Sequence, residues 1–213
     1  MVRVLKFILP VALVVASCAV ISSASAAEFH SESESGTHLH GEQQEENTFV
    51  VNSRVVKCTG VTTTAFTTGW FWKSWKQEKK YTGCTGFGLA ATLAMNGCEV
   101  EFGEPVGSGP WTGTTGVVCP VGKSIAISIG SGSCLVTIGS QSGLAGVSYT
   151  NTGSGGGRSI KMTYNVTTLS ANVSGSVLVC GTNGTRTASY TGSDILEGFT
   201  NSGLGTHVGI WVE

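Results

Sequence analysis

The sequence predicts an all-β, disulfide-bonded antiparallel fold, and three observations carry that prediction. Apolar residues recur with period two from Thr48 onward, glycine-rich turns interrupt them about every eight to twelve positions, and six of the chain's seven cysteines follow an export-type leader. A pleated strand sends successive side chains to opposite faces, so this alternation marks surfaces that are apolar on one side and wet on the other.

The strands follow in order. "TFVV", "SRVVKC", "GVVC", "SIAISI", "CLVTI", "GVSYT", "SIKMTYNV", "SVLVC", "TASYT" and "HVGIWV" are rich in β-branched residues, which suit a half-buried pleated surface. Between them lie "GSGPWTG", "GSGS", "NTGSGGG", "GTNG" and "NSGLG", where glycine supplies the positive φ of tight turns. "GFGLAATLAMNG" is rich in Leu and Ala, yet Phe87, Leu89, Ala91, Leu93 and Met95 alternate with Gly88, Ala90, Thr92 and Ala94, which predicts a strand. Large residues on one face and small on the other suit two stacked sheets. The expected architecture is a β-sandwich with Greek-key or jelly-roll wiring, with a closed β-barrel as the alternative.

Residues 1–26 read as a signal peptide. Arg3 and Lys6 precede the apolar run "FILPVALVVASCAVI", and "SSASAA" offers small residues for cleavage. Lipidation at Cys18, within "VASC", is the lesser alternative, so the chain is expected to be secreted and released. Residues 27–47 then form a polar hairpin or a flexible segment, and residues 48–213 the β domain.

Six cysteines remain after the leader: Cys58, Cys84, Cys98, Cys119, Cys134 and Cys180. An even number in an exported chain predicts three disulfides, whereas long separations and the lack of any C-x-x-C pair speak against zinc. Cys119 with Cys134 is the preferred pair, because one strand, a "GSGS" turn and the start of the next separate them.

Formal net charge is −1 and only 12% of residues are charged. A nucleic-acid partner would need a basic field, so that class is excluded. No cofactor is expected, and the partner class that remains is an extracellular glycan or a membrane surface.

Motifs for catalysis are sparse. The GKS of "CPVGKS" lacks the glycine spacing and following helix of a phosphate loop, and is read as a turn. Beyond residue 40 the one histidine is His207, so a Ser/His/Asp set there would have to use it with Asp194, the single aspartate of the chain. Glu99 and Glu101 in "CEVEFGEP" would share a strand face roughly 7 Å apart, near the spacing of glycosidase carboxylates, and are the weak catalytic candidates. Solubilising an exposed strand is the commoner use of such a pair, so the chain is read as a non-enzyme ahead of a polysaccharide-acting enzyme.

"GWFWKSWKQEKKY" is the most distinctive run. Trp70, Trp72, Lys73 and Trp75 are its candidate ligand-binding residues, with Trp70 and Trp72 sharing a face that stacks on sugar rings or settles at an anionic membrane. The competing account has the tryptophans filling the core edge while the lysines keep the hairpin wet.

"FHSESESGTHLHGEQQEEN" holds three of the four histidines. A three-residue hairpin turn would pair Glu34 with His38, Glu32 with His40 and His30 with Glu42, placing Phe29 and Leu39 together on the core face. His38 and His40 point the same way and are the weak metal candidates. Asn165, Asn172 and Asn183 head N-x-S/T triplets, which take glycans only in a eukaryotic secretory route.

The order "VKC", "YTGCTGFG", "MNGC", "CPVGKSIAI", "C.VTI" and terminal "GIWV" resembles a group of uncharacterised secreted proteins from actinobacteria. The resemblance implies export, a β-rich fold and unmodified sequons, and brings no activity with it. The function expected is a secreted binding or surface-structural protein, with a polysaccharide-acting enzyme or a membrane-active protein as rivals.

Overall fold

The computed structural model describes residues 26–213; the leader up to Ser25, including Cys18, lies outside the described residues. Strands dominate. In chain order they are β1 (Phe29–Ser31), β2 (Thr37–Val51), β3 (Arg54–Thr67), β4 (Phe71–Trp72), β5 (Trp75–Gly86), β6 (Leu89–Ala94) and β7 (Glu99–Phe102). Next come β8 (Trp111–Val118), β9 (Ile125–Ile129), β10 (Cys134–Ile138), β11 (Gln141–Thr152) and β12 (Ser159–Gly175). β13 (Gly184–Phe199), β14 (His207–Val208) and β15 (Ile210–Val212) complete the set.

The architecture is the closed barrel, not the two stacked sheets. β13, β2, β3, β5, β6, β9, β10 and β12 pair in that order, and β12 pairs back onto β13 to close eight antiparallel strands. One wall forks. At its N-terminal end, Trp75 to Gln77, β5 pairs with β7, whereas at its far end Thr85 and Gly86 pair with β6. β12 divides its contacts in the same way between β11 and β10. β7, β8 and β11 thus complete a second ring that shares β2, β3, β5, β12 and β13 with the first.

The length of the shared strands explains why a barrel wins over a sandwich. β2, β12 and β13 run 15, 17 and 16 residues. Strands this long twist and coil, and bulges bend them: the register shifts between Glu42 and Asn47, between Val166 and Leu169, and around Ser193. Gly146 in β11 sits at another bulge with φ +108°, and a Cβ there would lie 2.1 Å from the Asn165 carbonyl oxygen.

Each ring encloses its own apolar core. One holds Phe49, Val56, Ile127, Ile129, Val136 and Val173. The other holds Phe29, Leu39, Trp75, Phe102, Tyr149 and Ile160, and the small sheet β15–β1–β4 caps it. Phe29 enters that core between Trp75 and Tyr149, edge-on to both at 4.4 and 5.0 Å.

The polar hairpin of residues 27–47 does not form. β1 pairs with β15 and β4, while β2 pairs with β3 and β13 and runs unbroken past residue 47. Burying Phe29 beneath the cap satisfies more apolar surface than a hairpin of alternating charge could. The expected division of faces survives, because Phe29 and Leu39 share one core.

Three disulfides join Cys58 to Cys84, Cys98 to Cys119 and Cys134 to Cys180. The expected Cys119–Cys134 pair is corrected. β9 and β10 do form a hairpin, but Cys134 opens β10 opposite Ile129, the last residue of β9, whereas Cys119 lies before the start of β9. The length of β9 therefore separates the two thiols.

Candidate functional site

The strands sort the aromatic run into two populations. Trp72 and Trp75 are 8% and 5% exposed, and both pack in the capped core, Trp75 stacked on Phe102 at 4.8 Å. They belong to the core, which removes Trp72 and Trp75 from the expected binding platform. Phe29 opposes Trp72 across β1 and β4, so burial of that position follows from the register.

Trp70 and Phe71 are 55% and 58% exposed. Trp70 lies just before β4, where its carbonyl accepts a hydrogen bond from the Ser31 amide at 2.7 Å. Lys73 lies two residues beyond Phe71, with its ammonium 3.0 Å from Glu104 and 3.5 Å from Glu28. Glu104 and then Glu28 hold that ammonium above its ordinary range.

A row of rings missed in the sequence extends from Phe71 across the cap. His30 pairs with both Phe71 and Trp211, so all three side chains leave the sheet on its outer face. The imidazole lies 5.3 Å from the Trp211 ring, nearly parallel, and 6.4 Å from Phe71. Arg158 covers the far face of Trp211 at 3.5 Å, and Glu213 lies 3.6 Å from His30. Phe71 is the exposed apolar end of this row, and Trp70, next to it in sequence, is exposed as well. No sequence pattern joins residues 30, 71 and 211; only the pairing of three short strands does.

The carboxylate pair stays on one strand. Glu99 and Glu101 both lie on β7, where Glu101 is opposite Lys76 and Glu99 borders a shallow patch with Lys76 and Glu78. That is a solvated strand face, not two elements flanking a cleft. His38 leans on Phe66 at 4.7 Å and His40 lies 3.5 Å from Glu42. Among the described residues no group of three or more His, Cys, Asp or Glu gathers at a metal-binding distance.

His207 and Asp194 are kept apart. His207 accompanies Glu197 at 3.7 Å and the Gly156 carbonyl at 2.6 Å on the outside, whereas Asp194 is fully buried.

Asp194 belongs to a polar belt between the two cores. Its Oδ2 meets Lys79 Nζ at 2.6 Å and accepts a hydrogen bond from the Tyr164 hydroxyl at 2.9 Å. The Asn47 amide donates to its Oδ1 at 3.4 Å. Tyr190 donates in turn to Asn47, and Tyr81 donates to Tyr190 at 3.2 Å. Lys79 also lies 4.2 Å from the Tyr164 ring centre. Burial pushes the Lys79 ammonium below its ordinary range against the opposing pull of Asp194, and pushes all of Tyr81, Tyr164 and Tyr190 upward.

This belt also escaped sequence reading, which sets the lysines of "WKQEKKY" either at a contact surface or in water, never in the interior. Strand parity was the available signal: Trp75, Gln77, Lys79 and Tyr81 share one face of β5, and Lys76, Glu78 and Lys80 the other. An interior cavity of about 70 Å³ adjoins the belt at the fork, bordered by Lys79, Tyr81, Leu93, Met95, Tyr164 and Tyr190. It is far below the roughly 300–1,000 Å³ of ordinary ligand pockets, so the barrel is filled by its own side chains.

Along β3 and β5 the outer wall is polar between Val55 and Phe66, the exposed apolar residues near the two ends of β3. β3 turns Lys57, Thr59, Thr62 and Thr64 outward, and β5 turns Lys76, Glu78, Lys80 and Thr82 outward. Those two strands lack the apolar band that a lipid-facing barrel wall needs. No helix among the described residues is long and apolar enough to cross a membrane. Comparison with known proteins finds no matching family model, no matching characterised protein and no matching solved structure.

Proposed function

We propose that the chain is a secreted, disulfide-locked binding module that holds an extracellular glycan at the Trp70–Phe71 end of the outer aromatic row. The observation that carries this reading is the pair itself, neighbours in sequence: two large rings, each more than half exposed, at the capped end of the barrel. Contiguous exposed apolar surface rimmed by polar groups marks contact sites. A sugar presents C–H faces to such rings and hydroxyls to the charges beside them, which here are Lys73, Glu28 and Glu104.

Export is supported by the three disulfides and the leader-like start of the sequence. The small interior cavity directs ligand binding to the outside, and the single-strand placement of Glu99 and Glu101 favours binding over hydrolysis. A glycan array probed with the mature protein tests the reading. Selective retention by at least one polysaccharide class, weakened about tenfold or more in Phe71→Ala, is the expected result. Binding to no glycan on a broad array overturns it.

A further inference from the structure

Lys79 and Asp194 stand 115 residues apart in sequence and are 1% and 0% exposed, yet their side chains touch at 2.6 Å inside the barrel. The wall separates them by two strands, since β13, β2, β3 and β5 are consecutive. An ion pair in such a place bears the desolvation of both charges. Asp194 is offset by Tyr164 and Asn47, and Lys79 by Asp194 and the Tyr164 ring.

We propose that Lys79 and Asp194 condense into an intramolecular amide, a covalent cross-link between β5 and β13 through the barrel interior. The reaction begins with the shared proton moving from Nζ to Oδ2, which gives a neutral amine facing a neutral carboxylic acid. Burial favours that neutral form, and it already draws the Lys79 ammonium downward. The Nζ lone pair attacks Cγ. Oδ1 takes up the negative charge, facing the Asn47 amide that donates to it. The Nζ–Cγ bond forms and the Cγ–Oδ2 bond breaks as Oδ2 leaves as water. One proton of that water comes from the initial transfer and the second from Nζ, relayed by the Tyr164 hydroxyl that sits on Oδ2.

One amine and one acid thus become one amide and one water, with no oxidant, reductant or cofactor. The adjoining cavity, bordered by Lys79 and Tyr164, receives the water. The product removes both buried charges and leaves a single amide in their place. Held within contact distance by a closed barrel, the two groups also react as an intramolecular pair, which supplies the proximity such a condensation needs.

Intact mass spectrometry of the folded, exported protein tests the proposal. The expected mass is that of the mature chain with three disulfides, less one further water, and tandem spectra of a proteolytic digest contain one peptide pair joined through Lys79 and Asp194. Lys79→Arg and Asp194→Ala restore the missing water. After full reduction, the wild type migrates faster than either variant in a denaturing gel, because the cross-link retains a closed loop. A wild-type mass without the loss of water overturns the proposal, as does a loss that maps to any other residues. The wild-type digest decides the matter even if both variants fail to fold.

Discussion

Lys79 and Asp194 meet inside the barrel, Nζ to Oδ2 at 2.6 Å, although β2 and β3 stand between their strands in the wall. The contact ties β5 to β13 through the interior, where residues of one apolar core give way to those of the other. Removing either partner prevents the amide from forming and leaves the other group's charge unpaired in that interior. Lys79→Met or Asp194→Leu alone is expected to destabilise by about 3–5 kcal/mol. The double variant Lys79→Met/Asp194→Leu is expected to recover part of that loss, and denaturant unfolding of all three against wild type measures the coupling.

All four tyrosines lie above their ordinary titration range, burial being the leading cause for each. A raised folded-state pKa means that the native protein keeps a proton the unfolded chain releases. Its stabilising contribution is therefore intact below about pH 10 and is lost as pH rises beyond it. In an alkaline titration, phenolate absorbance is expected to appear together with the loss of far-ultraviolet β signal. Phenolate formation in a still-folded barrel would contradict the burial of these hydroxyls.

The two tryptophan populations separate by stability. Trp75→Ala opens a cavity beside Phe29 and Phe102 and is expected to cost about 3–5 kcal/mol. Trp70→Ala touches an exposed side chain and is expected to stay within about 0.5 kcal/mol of wild type. Thermal and denaturant melts of the two variants check the contrast.

Cys134–Cys180 closes the longest loop, 46 residues against 26 and 21 for the other bridges. Chain-entropy arithmetic assigns it about 4 kcal/mol, and the 21-residue loop about 3.3. Replacing each pair by alanines is expected to rank them in that order. Urea midpoints of the three double variants provide the test.

Much of this fold was legible as period-two patterning, because each inward row obeys strand parity: Ile125, Ile127 and Ile129 line one face of β9, and Ala91 and Leu93 turn inward from β6. Parity alone does not state how far a strand continues. β2 and β12 exceed the spacing of visible turn residues, and that extra length converts stacked sheets into a barrel. Cysteine number was readable, but connectivity depended on which end of β9 each thiol met. The outer ring row and the polar belt join residues from distant strands, 30 with 71 and 211, and 79 with 194. Such meetings arise from barrel closure and leave no local signature beyond Lys79 sharing the face of Trp75.

The glycan-binding account stands most directly on the Trp70→Ala/Phe71→Ala double variant, measured by affinity electrophoresis through gels containing the polysaccharides that retain the wild type. The account predicts that the double variant migrates as it does in plain gel while its melting temperature stays within a few degrees of wild type. Undiminished retardation of the double variant, with the barrel intact, would contradict it.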